Sequence, residues 1–224
     1  MTTRTLNFYF DYLSPYAYFS WRKLAGFCQE HNLELSPQPV VFGKLLDHWG
    51  QLGPAEIPPK REWLAKYCNR YAHLHGFEMN PPKYHPFNSL TALRLSLAEV
   101  CGENQNKVIN AIFTAGWTQG KDIGNPQVLS DILHGEGLNG EALCQKIQET
   151  NIKEILKQNT SDAIKCGVFG VPTMIIDDQL FWGNDQFEHM ALYVTGNDPL
   201  DVNKVNASLK NERAIDRKAF GPVA

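Results

Sequence analysis

A short strand pattern that runs directly into a Ser-Pro helix start is the strongest constraint in this chain. Residues 6–10 alternate between apolar and more polar side chains, which is typical of a strand. Ser14 then supplies an N-cap and Pro15 the first helical position of a helix predicted over residues 15–31. A second strand is predicted over residues 33–42, where two prolines confine it to an edge or to an irregular start. The chain therefore opens as β-α-β.

The middle of the chain carries helical patterns and no strand pattern. A Gly- and Pro-rich stretch, residues 43–59, is interpreted as a loop, and amphipathic helical stretches follow it for about a hundred residues. A helix over residues 152–166 then leads to two short strands, 173–176 and 180–182, and to a final helix. This order predicts an α/β protein with a thioredoxin-like fold and an inserted all-helical domain.

The predicted domain boundaries follow from this order of elements. Residues 1–43 and 150–196 form a discontinuous thioredoxin-like domain, and residues 44–149 form the inserted helical domain. Residues 197–224 form a C-terminal polar segment, interpreted as a surface helix or a tail. At 224 residues the chain is long enough to bury a sizeable core without disulfide support.

Composition and charge exclude several classes of protein. The 21 Lys and Arg against 24 Asp and Glu give a formal net charge of -3, too little positive charge to hold a phosphate backbone. No stretch approaches the roughly 20 apolar residues of a membrane span, and the N-terminus lacks the features of a signal peptide. The five cysteines are scattered without a Cys-x-x-Cys, which argues against a disulfide framework and a zinc site. We therefore expect a cytoplasmic protein that binds no nucleic acid, membrane or metal.

Two short motifs mark the place where chemistry is expected. Ser14 stands where a strand ends and a helix begins, and a helix N-terminus favours an anion such as a thiolate. Its hydroxyl either donates to such an anion or serves only as an N-cap. In a thioredoxin-like fold the pair Val171-Pro172, placed just before a strand, faces this helix start through a cis peptide bond. The backbone of Val171 is then available to bind an extended peptide.

Four motifs in order carry a resemblance to a known family. They are FYFDYLSPYAYF (8–19), GPAEIPPK (53–60), FGVPT (169–173) and FWGND (181–185). Together they make the chain similar to 2-hydroxychromene-2-carboxylate isomerases and the related kappa-class glutathione transferases, a DsbA-like branch of the thioredoxin superfamily. Redox members carry Cys-x-x-Cys at the first helix start, whereas this chain has Ser14-Pro15-Tyr16-Ala17. Because both sulfurs are missing, the resemblance implies an external sulfur from glutathione.

The resemblance also implies how glutathione would be held. The Ser14 hydroxyl would bond its thiolate, and Val171, next to Pro172, would bind its cysteinyl backbone. Asn184 and Asp185 would receive the γ-glutamyl end, where a carboxylate pairs sensibly with a free amino group. The alternative for this Asn-Asp pair is an N-cap of the last helix.

Two further contacts to glutathione are candidates in the loop and helix after the first motif. Lys60 is the candidate counter-ion for the glycyl carboxylate, although a lone Lys at a helix start is also commonly just solvated. Gln51 stands where relatives tend to have Asn, so a polar contact there is either kept by the longer amide or lost. Aromatic side chains are expected either to line a pocket for a flat acceptor or to lie in the core: Tyr12, Tyr16, Trp49, Trp63 and Trp182. Three histidines are candidate proton carriers, with structural or surface roles as the alternative: His48, His75 and His85.

Three functions are compatible with these residues. The leading hypothesis is a glutathione-dependent cis-trans isomerase of an aromatic or unsaturated carboxylate, of the 2-hydroxychromene-2-carboxylate type found in aromatic catabolism. In it the thiolate adds to a conjugated carbon, the bond rotates and glutathione is eliminated. The second is a kappa-like glutathione S-transferase that releases the conjugate. The third is a non-catalytic thioredoxin-fold module that binds extended peptides beside Pro172. Homodimerisation is an expectation from the family alone.

Overall fold

A single mixed sheet forms the centre of the molecule. The computed structural model describes residues 3–212, and its sheet has the strand order β2-β1-β3-β4. The strands β1 and β2 run parallel, β3 is antiparallel to β1, and β4 is antiparallel to β3. The strands are β1 (Arg4–Phe10), β2 (Leu33–Pro39), β3 (Thr173–Ile176) and β4 (Gln179–Trp182).

The predicted β-α-β opening is confirmed. Helix α1 (Pro15–Glu30) connects the parallel strands β1 and β2. Strand β2 lies at the edge of the sheet, as its two prolines predict, because a proline cannot donate to a neighbouring strand. Strand β3 pairs with β1 so that Phe8 lies opposite Met174. The arrangement is a mixed α/β fold of the thioredoxin-like type.

The chain between β2 and β3 forms helices and turns, with no strand among these described residues. A π-helical turn, Thr114–Thr118, follows directly after the helix that ends at Phe113. Before β3 they are α2 (Phe42–Trp49), α3 (Pro58–Leu74), α4 (Leu90–Leu95), α5 (Ala98–Cys101), α6 (Gln105–Phe113), α7 (Pro126–Gly135), α8 (Gly140–Lys146) and α9 (Thr150–Lys165). After the sheet come α10 (Phe187–Val194) and α11 (Val202–Leu209).

Helix α2 corrects the interpretation of residues 43–59 as a loop. It begins at Phe42, directly after the shortened second strand, and Leu45 on it is fully buried. Gly43 costs helical stability of about 1 kcal/mol relative to Ala, but burial of a leucine contributes about 1.5–3 kcal/mol. The helix ends at Gly50, whose φ of 62° is left-handed and suits glycine. Tertiary packing therefore overrides the local glycine signal.

The sheet separates two apolar clusters. Side chains of β1 that point to one face, including Phe8 and Phe10, join the larger cluster, which also contains Leu93 and Phe113 from the helices between β2 and β3. The smaller cluster lies on the opposite face, where Ile175 of β3 is one member. The larger core therefore includes both the sheet and the helices that interrupt it.

All five cysteines are free, and Cys28, Cys68 and Cys101 are buried. Across residues 3–212 no cluster of His, Cys, Asp and Glu has the geometry of a metal site. No helix in that range has the length and apolar character needed to cross a membrane. Helix α11 lies within the predicted C-terminal polar segment, of which residues 213–224 are outside the described residues.

Candidate active site

The start of α1 presents Ser14 in a buried position. Its backbone is extended (φ −95°, ψ 115°), and its Oγ accepts a hydrogen bond from the N–H of Ala17 at 3.2 Å. Pro15 follows at the first helical position, and the first turn, residues 15–18, contains no acidic side chain. The positive end of the helix dipole is therefore not neutralised by its own helix, which favours an anion there.

Val171 and Pro172 lie opposite this helix start. The peptide bond between them is cis, as the sequence predicts, and the Ser14 Oγ donates to the Val171 carbonyl at 3.3 Å. This distance is long for a hydroxyl–carbonyl hydrogen bond. The N–H of Val171 donates to no backbone carbonyl among the described residues. Ser14 and Pro172 therefore lie in one site. The Val171 carbonyl is a weak acceptor, which the Ser14 hydroxyl can exchange for another.

A tight corner after β4 lies beside Pro172. The N–H of Gly183 donates to the Pro172 carbonyl at 3.0 Å, and Gly183 has a φ of 117°, which favours glycine. The next residue, Asn184, is buried, and its Nδ2 has no hydrogen-bond partner within residues 3–212. Asp185 is exposed and accepts a hydrogen bond from the side chain of Gln186. The corner therefore presents a carboxylate to solvent and contains an unpaired amide donor.

A buried carboxylate fixes the loop that precedes Ser14. Asp11 is fully buried and accepts hydrogen bonds from the backbone N–H groups of Leu13 and Phe42, both at 3.0 Å. Burial raises the pKa of Asp11, and the hydrogen bonds from these two amides and from the Ser89 side chain partly offset it. Asp11 thus ties the loop to the start of α2. Sequence reasoning missed this role, although an acid at the end of an aromatic strand is a visible signal.

Two donors from the helical insertion hold the carbonyls of the same loop. Trp117 Nε1 donates to the Tyr12 carbonyl at 2.9 Å, and His85 Nε2 donates to the Leu13 carbonyl at 2.8 Å. Because a carbonyl only accepts, His85 carries its proton on Nε2. Burial lowers the pKa of His85, so the neutral ring is favoured. Of the three histidines named from sequence, His48 packs on Trp49 and His75 on Tyr71, whereas His85 contacts the serine loop.

The five aromatic candidates divide between core and surface. Tyr12 is fully buried, with its hydroxyl paired to Ser96, so it belongs to the core and not to a pocket. Tyr16 packs edge-on against Tyr67 of α3, and Trp63 stacks on the same Tyr67 at 5.1 Å. Burial raises the pKa of both tyrosines. Elsewhere, Trp49 Nε1 donates to the Val168 carbonyl, and Trp182 packs on Phe169.

Lys60 and Gln51 are not brought into contact with the serine site. Lys60 lies in the first turn of α3 and Gln51 in the loop after α2, and both are exposed. Within the described residues no hydrogen bond of the Gln51 side chain and no hydrogen bond or ion pair of Lys60 joins either of them to Ser14 or Val171. Their assignment to glutathione stays a prediction.

Lys23 is a residue of this region that sequence reasoning missed. Its Nζ donates to the hydroxyl of Tyr71 at 2.9 Å and to the carbonyl of Asn184 at 3.0 Å. The same Nζ lies 4.0 Å from the ring centroid of Phe187. These partners lie 48 to 164 positions away along the chain, so no local sequence signal could have found them.

A separate cavity is lined by residues within 127–141, which are distant in sequence from Ser14 and Val171. Its volume is about 610 Å³, and its lining comes from α7, α8 and their connection, with His134 and Glu141 among the lining residues. None of the residues at the serine site lines it. The convergence of partly unpaired polar groups, and not cavity size, therefore marks the candidate active site.

These features define a class of protein: a thioredoxin-like fold with a serine, in place of a redox cysteine, opposite the cis-proline. The family profile described as DSBA-like thioredoxin domain matches residues 5–195. The chain belongs to this DsbA-like thioredoxin family.

Named relatives and a solved structure show similarity over nearly the same span. A 2-hydroxychromene-2-carboxylate isomerase of Sphingobium xenophagum is 26% identical over 86% of this chain and 98% of the relative. Glutathione S-transferase kappa 1 of Rattus norvegicus is 25% identical over 86% of this chain and 91% of the relative. A solved 2-hydroxychromene-2-carboxylate isomerase has a TM-score of 0.75 and 26% identity, covering 92% of this chain and 100% of that chain. The chain is thus related to isomerases and glutathione transferases.

Proposed function

We propose that the protein is a glutathione-dependent cis-trans isomerase of aromatic or unsaturated carboxylates, of the 2-hydroxychromene-2-carboxylate type. The observation that carries the proposal is the Ser14 hydroxyl, which lies at the positive end of α1 and hydrogen-bonds to the residue before Pro172. The similarity to named isomerases over most of the chain supports the same reaction class.

The residues at this site fit glutathione. A peptide-like thiol needs backbone partners, and Val171 has an N–H without a backbone acceptor among the described residues. Asn184 has a buried amide nitrogen in need of an acceptor in that same range, and an unsatisfied buried donor costs about 1–3 kcal/mol. Asp185 is an exposed carboxylate that can pair with an α-amino group. We assign the cysteinyl backbone to Val171 and Pro172, and the γ-glutamyl end to Asn184 and Asp185.

When bound, glutathione would supply the thiolate that adds to a conjugated carbon and leaves after rotation about the resulting single bond. Ser14 would turn its hydroxyl from the Val171 carbonyl to the sulfur, so that one donor stabilises the thiolate while Ala17 continues to donate to Oγ. The unneutralised end of α1 lowers the thiol pKa in the same direction. Asp11 and His85 hold the serine loop in place while this exchange occurs.

Lys60 and Gln51 complete the proposal at the other end of the ligand. Both are exposed, Lys60 in the first turn of α3 and Gln51 in the loop after α2, and they would offer an ammonium and an amide to a carboxylate. We propose that Lys60 pairs with the glycyl carboxylate and that Gln51 offers an additional amide contact. Cytoplasmic location and homodimerisation stay predictions from cysteine usage and from the family.

Calorimetric titration of the wild type with reduced glutathione, followed by an isomerase assay, tests the proposal. The expected result is saturable binding that is lost or strongly weakened with S-methylglutathione, in which the sulfur cannot ionise. Conversion of 2-hydroxychromene-2-carboxylate should depend on glutathione and regenerate it, as followed by absorbance and mass spectrometry. Accumulation of a free glutathione conjugate would instead identify a kappa-like transferase. Binding of extended peptides without any glutathione binding would identify a peptide-binding module and overturn the proposal.

A further inference from the structure

One ammonium group joins three elements behind the corner after β4. Lys23, on the third turn of α1, donates to the Tyr71 hydroxyl of α3 and to the Asn184 backbone carbonyl. Its Nζ also lies 4.0 Å from the ring centroid of Phe187, at the start of α10. Two of the three donors of the ammonium therefore have oxygen partners, and the cation also contacts an aromatic ring.

The contact with Asn184 acts on the backbone of the candidate glutathione site. A hydrogen bond from a charged donor is shorter and stronger than one between neutral groups. Since the Asn184 carbonyl belongs to the peptide that leads into Asp185, fixing it also fixes the orientation of the next N–H. Across residues 3–212 no carboxylate forms an ion pair with Lys23. The charge is therefore directed to a backbone carbonyl and an aromatic ring.

The same helix thus reaches the site twice. Ser14 lies at its N-terminus, and Lys23 lies nine residues later, about 13 Å along the axis at 1.5 Å per residue. A rigid helix that fixes both the serine and the corner sets the distance between the two ends of the site. This arrangement requires the ordering of one long side chain, and its aromatic partners limit the freedom of that side chain.

We propose that Lys23 is a positioning residue that fixes the Asn184-Asp185 corner for the γ-glutamyl part of glutathione. The inference rests on the proposed function for the identity of the ligand. Lys23 acts through the Asn184 carbonyl and does not contact the reacting sulfur. It therefore controls affinity for glutathione and leaves the chemical step to the serine end of the site.

The test compares Lys23→Met, which keeps length and removes charge, with Lys153→Met, a matched change at an exposed lysine of α9. Lys23→Met should raise the glutathione Kd and KM about tenfold, equal to about 1.4 kcal/mol, with kcat at saturating glutathione unchanged. Lys23→Arg should restore affinity to within about threefold of wild type, because it keeps a charged donor. Lys153→Met should match wild type.

Cysteinylglycine, which lacks the γ-glutamyl group, locates the effect. Its binding should be equally weak for wild type and Lys23→Met, because the part of the ligand that meets the corner is absent. An equal loss of affinity for both thiols, or an unchanged glutathione Kd in Lys23→Met, would overturn the proposal.

Hydrogen exchange of the ligand-free proteins separates this inference from the proposed function. Amides of residues 183–185 should exchange faster in Lys23→Met than in wild type and Lys153→Met, since the carbonyl loses its charged donor. Equal exchange rates would overturn the positioning role. Absence of glutathione binding by the wild type would overturn the proposed function, and the exchange rates would still decide whether Lys23 orders the corner.

Discussion

Helices α1 and α3 both begin with proline in the first turn, but their starts differ in surroundings. Ser14 caps α1 with its side chain, is buried and faces Val171. Ile57 caps α3 without a side-chain hydrogen bond, and Lys60 in its first turn is exposed. Both first turns lack acidic side chains. A helix start alone therefore does not make a site, and a buried partner across from it is what distinguishes the first from the second.

The largest expected effect comes from removing the hydroxyl at the buried start. Ser14→Ala should lower glutathione-dependent turnover by about tenfold to a thousandfold, because one thiolate donor is lost. The loss of the cap costs only about 1 kcal/mol, so the variant should fold. Turnover at saturating glutathione, with thermal unfolding as a control, measures both effects. Wild-type turnover in the variant would mean that Ser14 is only a helix cap.

A sulfur at the same position sharpens the difference between this chain and redox relatives. Ser14→Cys should form a mixed disulfide with glutathione under mild oxidation and then stop, because Ala17 offers no resolving thiol. Cys68 lies on α3 near Tyr16, but burial raises its pKa to about 12, so it is a poor nucleophile. Mass spectrometry before and after reductant should show a reversible mass gain.

The double variant Ser14→Cys with Cys68→Ser is the control for that experiment. It should trap the same adduct at the same rate. Efficient multiple-turnover disulfide exchange by the single variant, abolished in the double variant, would show that Cys68 resolves the adduct and that its burial is not protective.

The third effect concerns the carboxylate that supports the buried start. Asp11→Asn keeps one acceptor and leaves one amide, of Leu13 or Phe42, unpaired, which costs about 1–3 kcal/mol. Burial raises the pKa of Asp11 above its ordinary 3.8, so the folded protein holds this proton to higher pH than the unfolded chain. The stabilising contribution of the protonated carboxyl is fully present below the ordinary pKa of 3.8. It is lost as pH rises through the raised pKa of the folded protein.

Urea unfolding of wild type and Asp11→Asn at a series of pH values measures this dependence. The free energy of unfolding of the wild type, relative to the variant, should fall as pH rises from about 4. A constant difference between the two proteins across that range would contradict the raised pKa.

The smallest effect is expected at the exposed start. Lys60→Ala should raise the glutathione KM by about fivefold at most, since exposed ion pairs contribute about 0–1 kcal/mol. The effect should shrink further at high salt. A loss in Lys60→Ala as large as that in Ser14→Ala would show that the two helix starts contribute equally and would remove the distinction drawn between them.

Much of the architecture was predictable because its signals are local. The alternation before Ser14, the Ser-Pro start and the edge prolines of β2 each act within a few residues, and the structure confirms the elements they predict. The cis bond before Pro172 and its proximity to Ser14 are confirmed as well. That pairing came from the order of elements, which brings two distant motifs to one end of the sheet.

The missed features depend on contacts between distant parts of the chain. Lys23 reads locally as one more charged helical residue, and its partners are 48 and 161 positions away. The sequence pattern does not predict helix α2, because Gly43 and the prolines that follow are typical of a loop. The burial of Leu45, which stabilises the helix, is a tertiary property. The sequence leaves Tyr12 open between a pocket and the core, and only the pairing of its hydroxyl with Ser96 from the helical insertion places it in the core. Sequence spacing alone contains none of these pairings.

The larger apolar cluster joins the helices between β2 and β3 to the sheet, so neither part can be changed without the other. Phe113, on α6, packs against Phe10 at 5.6 Å and against Tyr12 at 4.5 Å between ring centroids. The helical insertion therefore covers the apolar side chains of the strand that leads to Ser14. Excising the helices between β2 and β3 would strip this strand of its apolar cover. Exchanging them with those of a relative would require simultaneous redesign of the aromatic residues on β1. The helical insertion and the sheet therefore share one apolar core, despite their separation into different stretches of sequence.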